Sequence, residues 1–190
     1  MVIVAKDPTK TETIVAGWEN PSNALSKDGL YTRGYALHAE QEYSGYGFDL
    51  PFGVKINKVV VKSQLYATSS DDILVVKIWD GLAWYEKRID KYTTPSIPLT
   101  PTDISLDFTN VTNWTAGKVN NIRTRIYYAY YAPASVYVDN LTVEVDYTTT
   151  EEKEEAIQET VAQFIKAYWK ELSVLAVIIA IVIAIILGVW

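Results

Sequence analysis

Period-two alternation runs through the first three-quarters of this chain and limits its fold more than any other feature. Over 56–67, Val59, Val61 and Leu65 fall on one side, and Lys58, Lys62 and Gln64 on the other. Leu74, Val76 and Ile78 repeat the pattern, as do Ile104, Leu106 and Phe108, and Tyr46, Phe48 and Leu50. Successive side chains of a strand point to opposite faces, so each segment can bury one face and wet the other. Turn chemistry separates the segments: Asn20-Pro21, Asp28-Gly29, Pro51-Phe52-Gly53, Ser69-Ser70-Asp71-Asp72 and Asp80-Gly81. Further strands are expected over 30–37, 42–50, 73–80, 83–89, 120–131 and 135–147. Pro95, Pro98 and Pro101 make 90–103 a connector instead of a central strand. No helical period precedes residue 150. About eight to ten short strands of this kind predict a mainly β domain, an antiparallel, jelly-roll-like β-sandwich.

The last strand carries a specific expectation. Val136 and Val138 are in one phase, and Leu141, Val143, Val145 and Tyr147 in the other. A strand cannot change phase without an extra residue, so a β-bulge is expected near Asp139 and Asn140.

From residue 151 the period becomes helical, through Ile157, Val161, Phe164, Ile165, Tyr168 and Leu172. Thr149 followed by Glu152 fits a capping box, and the acidic cluster after it suits the positive end of a helix dipole. The run 172–190 is 19 residues long with no charge. As a helix it reaches roughly 28 Å, the thickness of a bilayer's hydrocarbon core. Tyr168, Trp169 and Trp190 flank it, where aromatics favour membrane interfaces. The expected organisation is a β-sandwich over 1–148, an amphipathic stalk helix over 149–171 and a transmembrane anchor over 172–190, the last two forming one long helix. The stalk stripe suits either a helix lying on lipid or one packing upright against its own copies. The N-terminus lacks a basic region, a long apolar core and a cleavage site, so no secretory signal is read there. Lys153, Lys166 and Lys170 lie on the domain side of the span, which places that side in the cytosol.

Composition excludes several function classes. Of 17 basic and 23 acidic side chains, residues 151–190 hold 3 Lys and 6 Glu, which leaves 1–150 with a net charge of −3. A mildly acidic domain without a basic stripe speaks against nucleic acid as a partner. The absence of Cys removes disulfides, thiolate metal sites and a Cys nucleophile. The one His, His38, stands near a strand end and is read as structural or exposed. Asp71-Asp72, Asp28-Gly29 and Asp80-Gly81 are turn signals without the spaced acidic ligands of a calcium loop. No phosphate-binding glycine loop, nucleophile elbow or zinc-protease motif occurs. The reading is therefore non-enzymatic, with no catalytic residue, cofactor or metal. Trp79, Trp84 and Tyr85 frame the turn WDGLAWY and are the candidate contact for a ligand or a protein partner. The alternative is that the two tryptophans flank a hairpin and pack on the sandwich. Tyr127, Tyr128, Tyr130 and Tyr131 put tyrosines on both faces of one strand, one of which must be core. Asn110, Asn113 and Asn140 begin glycosylation sequons.

Four stretches, GWENPSNALSKDGLYTRG, YGFDLPFGVKINKVVVKSQLYA, DDILVVKIWDG and SVYVDNLTVEVDY, resemble a β-sandwich that recurs in virion and phage tail-associated structural proteins. The resemblance covers most of 17–147, with Thr32 standing where the family has a small residue. Joined to a C-terminal span, the sandwich resembles vertex or turret proteins of membrane-containing icosahedral archaeal viruses. That resemblance implies a structural virion protein tethering the capsid vertex to the internal membrane. Its expected partners are a lipid bilayer, capsid or turret proteins and copies of itself, as a pentamer. The domain would face the capsid in the virion and the cytosol of the host membrane before assembly. The alternative reading is a tail-anchored surface carbohydrate-binding or adhesion protein.

Overall fold

Twelve strands form among the described residues of the computed structural model, which are 1–129, 134–149, 159–163, 166 and 168. In chain order they are β1 (Val2–Lys6), β2 (Lys10–Val15), β3 (Trp18–Glu19), β4 (Thr32–Gly34), β5 (Glu40–Ser44), β6 (Lys55–Ala67), β7 (Leu74–Trp79), β8 (Trp84–Ile89), β9 (Thr102–Asp107), β10 (Arg123–Tyr128), β11 (Val136–Val138) and β12 (Thr142–Thr148). All pairings are antiparallel. One sheet has seven strands in the order β1-β12-β6-β11-β4-β3, with β9 on the free edge of β6. The other has five, in the order β2-β5-β10-β7-β8. The antiparallel β-sandwich expected from the alternation is thus present, and residues 1–149 form one unit.

The core lies between the sheets and is built by the alternating positions. Val59, Val61 and Leu65 of β6 face Leu74, Val76 and Ile78 of β7 and Ile126 and Tyr128 of β10 within a single apolar cluster. Each such buried side chain contributes roughly 1.5–3 kcal/mol of transfer free energy, against the backbone entropy lost on ordering. The connector 90–103 carries no strand before β9, as its prolines require, and Ile97 packs into the core from it.

The expected bulge is where the phase change puts it. Val138 pairs with Leu65 and Thr142 with Lys62, so one strand advances four residues while its partner advances three. The displaced residues are stitched down. Asp139 Oδ1 accepts from the Asp28 and Gly29 backbone N–H at 3.2 and 3.2 Å, and Asn140 Oδ1 accepts from Gln64 N at 2.8 Å. Val136, Val138, Leu141, Val143 and Val145 all reach the core as a result.

Two expectations need correction. The strand expected from residue 120 starts at Arg123, because Thr115 caps a short helix, α1 (Ala116–Asn120), by accepting from Lys118 N at 3.3 Å. Five residues are too few to show a helical period in the sequence. The strands expected over 30–37 and 42–50 shrink to β4 and β5. His38, Gly45 and Gly47 take positive φ and end the ladders. Tyr46, Phe48 and Leu50 still alternate into the core, held by side chains: Asn120 bonds both the N–H and the C=O of Leu50, and Tyr46 Oη donates to Leu141 O.

The stalk expected over 149–171 and the anchor over 172–190 lie almost wholly outside the described residues. Residues 159–163, 166 and 168 are helical, and Val161 and Tyr168 are about half exposed. Trp169 and Trp190 are outside the described set. Among the described residues, no helix is long and apolar enough to cross a membrane.

Candidate functional site

Strand alternation leaves β10 with one apolar face and one charged face. Thr124, Ile126 and Tyr128 point into the sandwich, and Arg123, Arg125 and Tyr127 point out. Antiparallel register then gathers their neighbours on the outer face of the five-stranded sheet. Trp84 lies opposite Trp79, and Trp79 opposite Arg123. Lys77 lies opposite Arg125, and Arg125 opposite Glu42. Tyr127 lies opposite Glu40. The three outward residues of β10 span about 13 Å along the strand, and the four strands from β8 to β5 span about 14 Å across it.

These side chains form one connected network. Arg123 Nη1 donates to Glu42 Oε1 at 2.9 Å, and Arg125 Nε to Glu42 Oε2 at 2.8 Å. Lys77 Nζ donates to Glu40 Oε1 at 2.9 Å. The Arg125 guanidinium lies 4.2 Å from the centre of the Trp84 ring, and the Arg123 guanidinium 4.9 Å from that of Trp79 and 5.5 Å from that of Trp84. The two indoles are 5.4 Å apart and tilted by 45°. Lys77 Nζ sits 4.9 Å over the Tyr127 ring. At the far end His38 stacks on Tyr127, with ring centres 5.8 Å apart, and its Nδ1 hydrogen-bonds the Tyr127 hydroxyl. His38 reaches that position from a left-handed backbone, φ 64, which is uncommon for a residue with a Cβ. Cations over aromatic faces and charge-assisted hydrogen bonds hold the rings and guanidinium groups in fixed orientations.

The sequence candidates fall on different faces. Trp79 and Trp84 come together, on the outer face of the sheet and not in the core. Tyr85 does not join them: it follows Trp84 in β8, so it points to the opposite face and packs against the core. A strand cannot present two consecutive side chains to one ligand. Tyr127 faces out and Tyr128 in, where its hydroxyl donates to Asp72 at 2.7 Å. Asp71-Asp72 and Asp80-Gly81 are turns, as expected. Asp80 is buried beneath the β7–β8 hairpin and accepts from Leu82 N, Ala83 N, Thr112 Oγ1 and Lys118 Nζ. Burial pushes its carboxyl up, but these four donors outweigh burial and hold it well below the usual carboxylate range. Of the sequon asparagines, Asn110 and Asn113 are exposed, whereas Asn140 is buried in the bulge with its side chain committed to Gln64 N and Thr142 Oγ1. Among the described residues, no group of three or more His, Asp or Glu could hold a metal ion.

Sequence reasoning missed Arg123, Arg125, Lys77, Glu40, Glu42, Tyr127 and His38 as parts of one site. A signal existed in the RTRIY run of β10, where two arginines and a tyrosine share a face. The carboxylates that orient the arginines lie about 80 residues away in sequence, and only strand pairing joins them.

At one end of this face a cleft of ≈ 430 Å³ opens between Trp79, Arg123, Asn120, Asn121, Gly45 and Gly47. The other sheet carries a smaller aromatic cluster: Tyr66 and Tyr137 stack with centres 4.6 Å apart, and Tyr31 meets Tyr66 edge-on at 5.2 Å.

No family model matches this sequence, and no curated protein matches it. Among solved structures, the chain is similar to the CBM32 domain of AlyQ in complex with 4,5-unsaturated mannuronic acid, at 13% identity and a TM-score of 0.44, over 75% of this chain and 98% of that one. It is also similar to TmCBM61 in complex with beta-1,4-galactotriose, at 14% identity and a TM-score of 0.40, over 74% and 86% of the two chains. A third similarity is to the CBM36-1 domain of a multidomain xylanase from the hindgut metagenome of Trinervitermes trinervoides, at 10% identity and a TM-score of 0.40, over 78% and 100%.

Proposed function

We propose that residues 1–149 are a non-catalytic carbohydrate-binding module that takes an extended glycan across the outer face of the five-stranded sheet. The observation that carries this reading is the row of Trp84, Trp79 and Arg123 with Arg125, Lys77 and Tyr127 beside it. Aromatic rings offer flat apolar surface, and charged side chains between them offer directional donors and acceptors, which is the mixture a sugar's apolar face and hydroxyls require. The side chains are already oriented by one another, so little conformational entropy is lost when a ligand arrives. The face lies on the solvent side of a sheet whose opposite side is core, so binding requires no rearrangement of the fold.

The apolar run 172–190 supports holding this module at a bilayer. The virion-tethering role rests on that run and on the sequence resemblance, and no described residue adds support to it. The test is glycan binding by the full chain in detergent micelles, across neutral and acidic polysaccharides. Trp84→Ala is expected to weaken binding tenfold or more with its melting temperature monitored alongside, because Trp84 supplies ring surface and also seats Arg125. Failure of the native chain to bind any glycan overturns the proposal.

A further inference from the structure

On the reading that this face binds glycans, we infer that Arg123 is a carboxylate-recognising residue, so that the ligand class is an acidic, uronate-containing polysaccharide. The inference starts from how the two arginines of β10 are used. Arg125 is spent: Nε and Nη2 both meet Glu42 Oε2, each at 2.8 Å, and Nη1 lies 3.5 Å from Glu40 Oε1. Arg123 gives only Nη1 to Glu42. Its Nε and Nη2 have no partner among the described residues, and its side chain is 38% exposed, against 6% for the Glu42 that holds it.

The guanidinium is nevertheless not loose. Glu42 fixes one corner, and the Trp79 and Trp84 rings pack against the group. A planar fork with one corner pinned and its other donors open is the geometry that pairs two parallel N–H groups with a carboxylate. Arg123 also lines the cleft, together with Trp79, Asn120 and Asn121. Gly47 and Gly81 belong to the cleft wall, and a Cβ on either would meet nothing within 4 Å, so their side of the cleft is left open.

The test compares one ligand in two charge states. Tri-galacturonate and its methyl ester have nearly the same shape, and the ester lacks the carboxylate charge. Titration calorimetry on the full chain in detergent is expected to show the acid binding at least tenfold tighter than the ester. Arg123→Gln is expected to bring the two to equal affinity while leaving the weaker, Trp84-dependent binding of the ester. Because Arg123→Gln strips a partner from Glu42, thermal melting of the variant is measured as well, to confirm that it folds. Arg123→Lys, which keeps the charge and loses the planar fork, is expected to lose most of the preference. Equal binding of acid and ester by the native chain overturns the inference and leaves the glycan-binding reading standing. Tighter binding of a sulfated oligosaccharide than of the uronate also overturns it, since the site would then read charge in place of a planar carboxylate. Binding of neither trisaccharide, nor of any glycan in the wider survey, removes both.

Discussion

At the residue scale, Asp80 shows how a single buried charge is held and what it contributes. The residue is 1% exposed, yet all its acceptor positions face donors, and the ammonium of Lys118 lies 2.7 Å away. Its folded pKa lies below its unfolded value, which for aspartate is about 3.9. The sign of the linkage follows. Its stabilising contribution is present above about pH 4 and is lost as pH falls toward the folded pKa. Lys118→Met removes the cation and strands the carboxylate, which should cost about 3 kcal/mol at pH 7. Protonation relieves a stranded carboxylate, so the deficit should shrink between pH 7 and pH 3. Urea unfolding at the two pH values reads this. A deficit that stays constant would mean that Lys118 acts through packing alone. Gly34 makes a second point at this scale. A Cβ there would stand 2.9 Å from the Trp18 indole, so Gly34→Ala forces the ring off its seat on β4. A loss of roughly 1–3 kcal/mol is expected in the same unfolding measurement.

At the element scale, the bulge between β11 and β12 decides which face of β12 is core. Deleting Asn140 removes the extra residue, so Leu141, Val143 and Val145 fall in the same phase as Val136 and Val138, and both strands then advance three residues between the pairs Val138–Leu65 and Thr142–Lys62. A regular strand then satisfies both halves, and the deletion variant is expected to keep a cooperative transition by circular dichroism melting, where loss of cooperativity would show that the bulge does more than correct the phase. Asp139→Ala keeps the register and the bulge but leaves the Asp28 and Gly29 N–H groups without their acceptor. It should unfold about 1–3 kcal/mol earlier while keeping the same spectrum. The Arg/Trp/Glu face is also an element-scale property. Its members are ordinary alternate residues of β5, β7, β8 and β10, and antiparallel register turns them into a row.

At the scale of the whole molecule, residues 1–149 form one unit with its core complete in itself. A chain ending at Thr149 should therefore melt in a single cooperative transition at close to the temperature of the sandwich in the full chain. Differential scanning calorimetry of the two would show it, and a broad, non-cooperative transition in the shorter chain would count against independence of the unit. The same pair of chains separates binding from anchoring. The proposed glycan face lies entirely within 1–149, so on that proposal both chains should bind the same glycan with equal affinity, and only the full chain should float with liposomes.

Much of this was legible beforehand. Period-two alternation named the core faces of β6, β7 and β9, and the phase change at Asp139 and Asn140 located the bulge. Both follow from the pleat of a strand, a local property that each residue carries wherever the strand lies. Trp79 and Trp84 could be singled out as a pair because only a hairpin separates them, and the exclusion of Tyr85 follows from the same alternation. Glu42 beneath Arg123 and Arg125, Glu40 beneath Lys77, and His38 on Tyr127 could not be found that way. They lie far apart in the chain, and nothing in local composition says which strands become neighbours. The order β2-β5-β10-β7-β8 is a long-range choice made by packing, and it alone turned two tryptophans and scattered charges into one oriented surface.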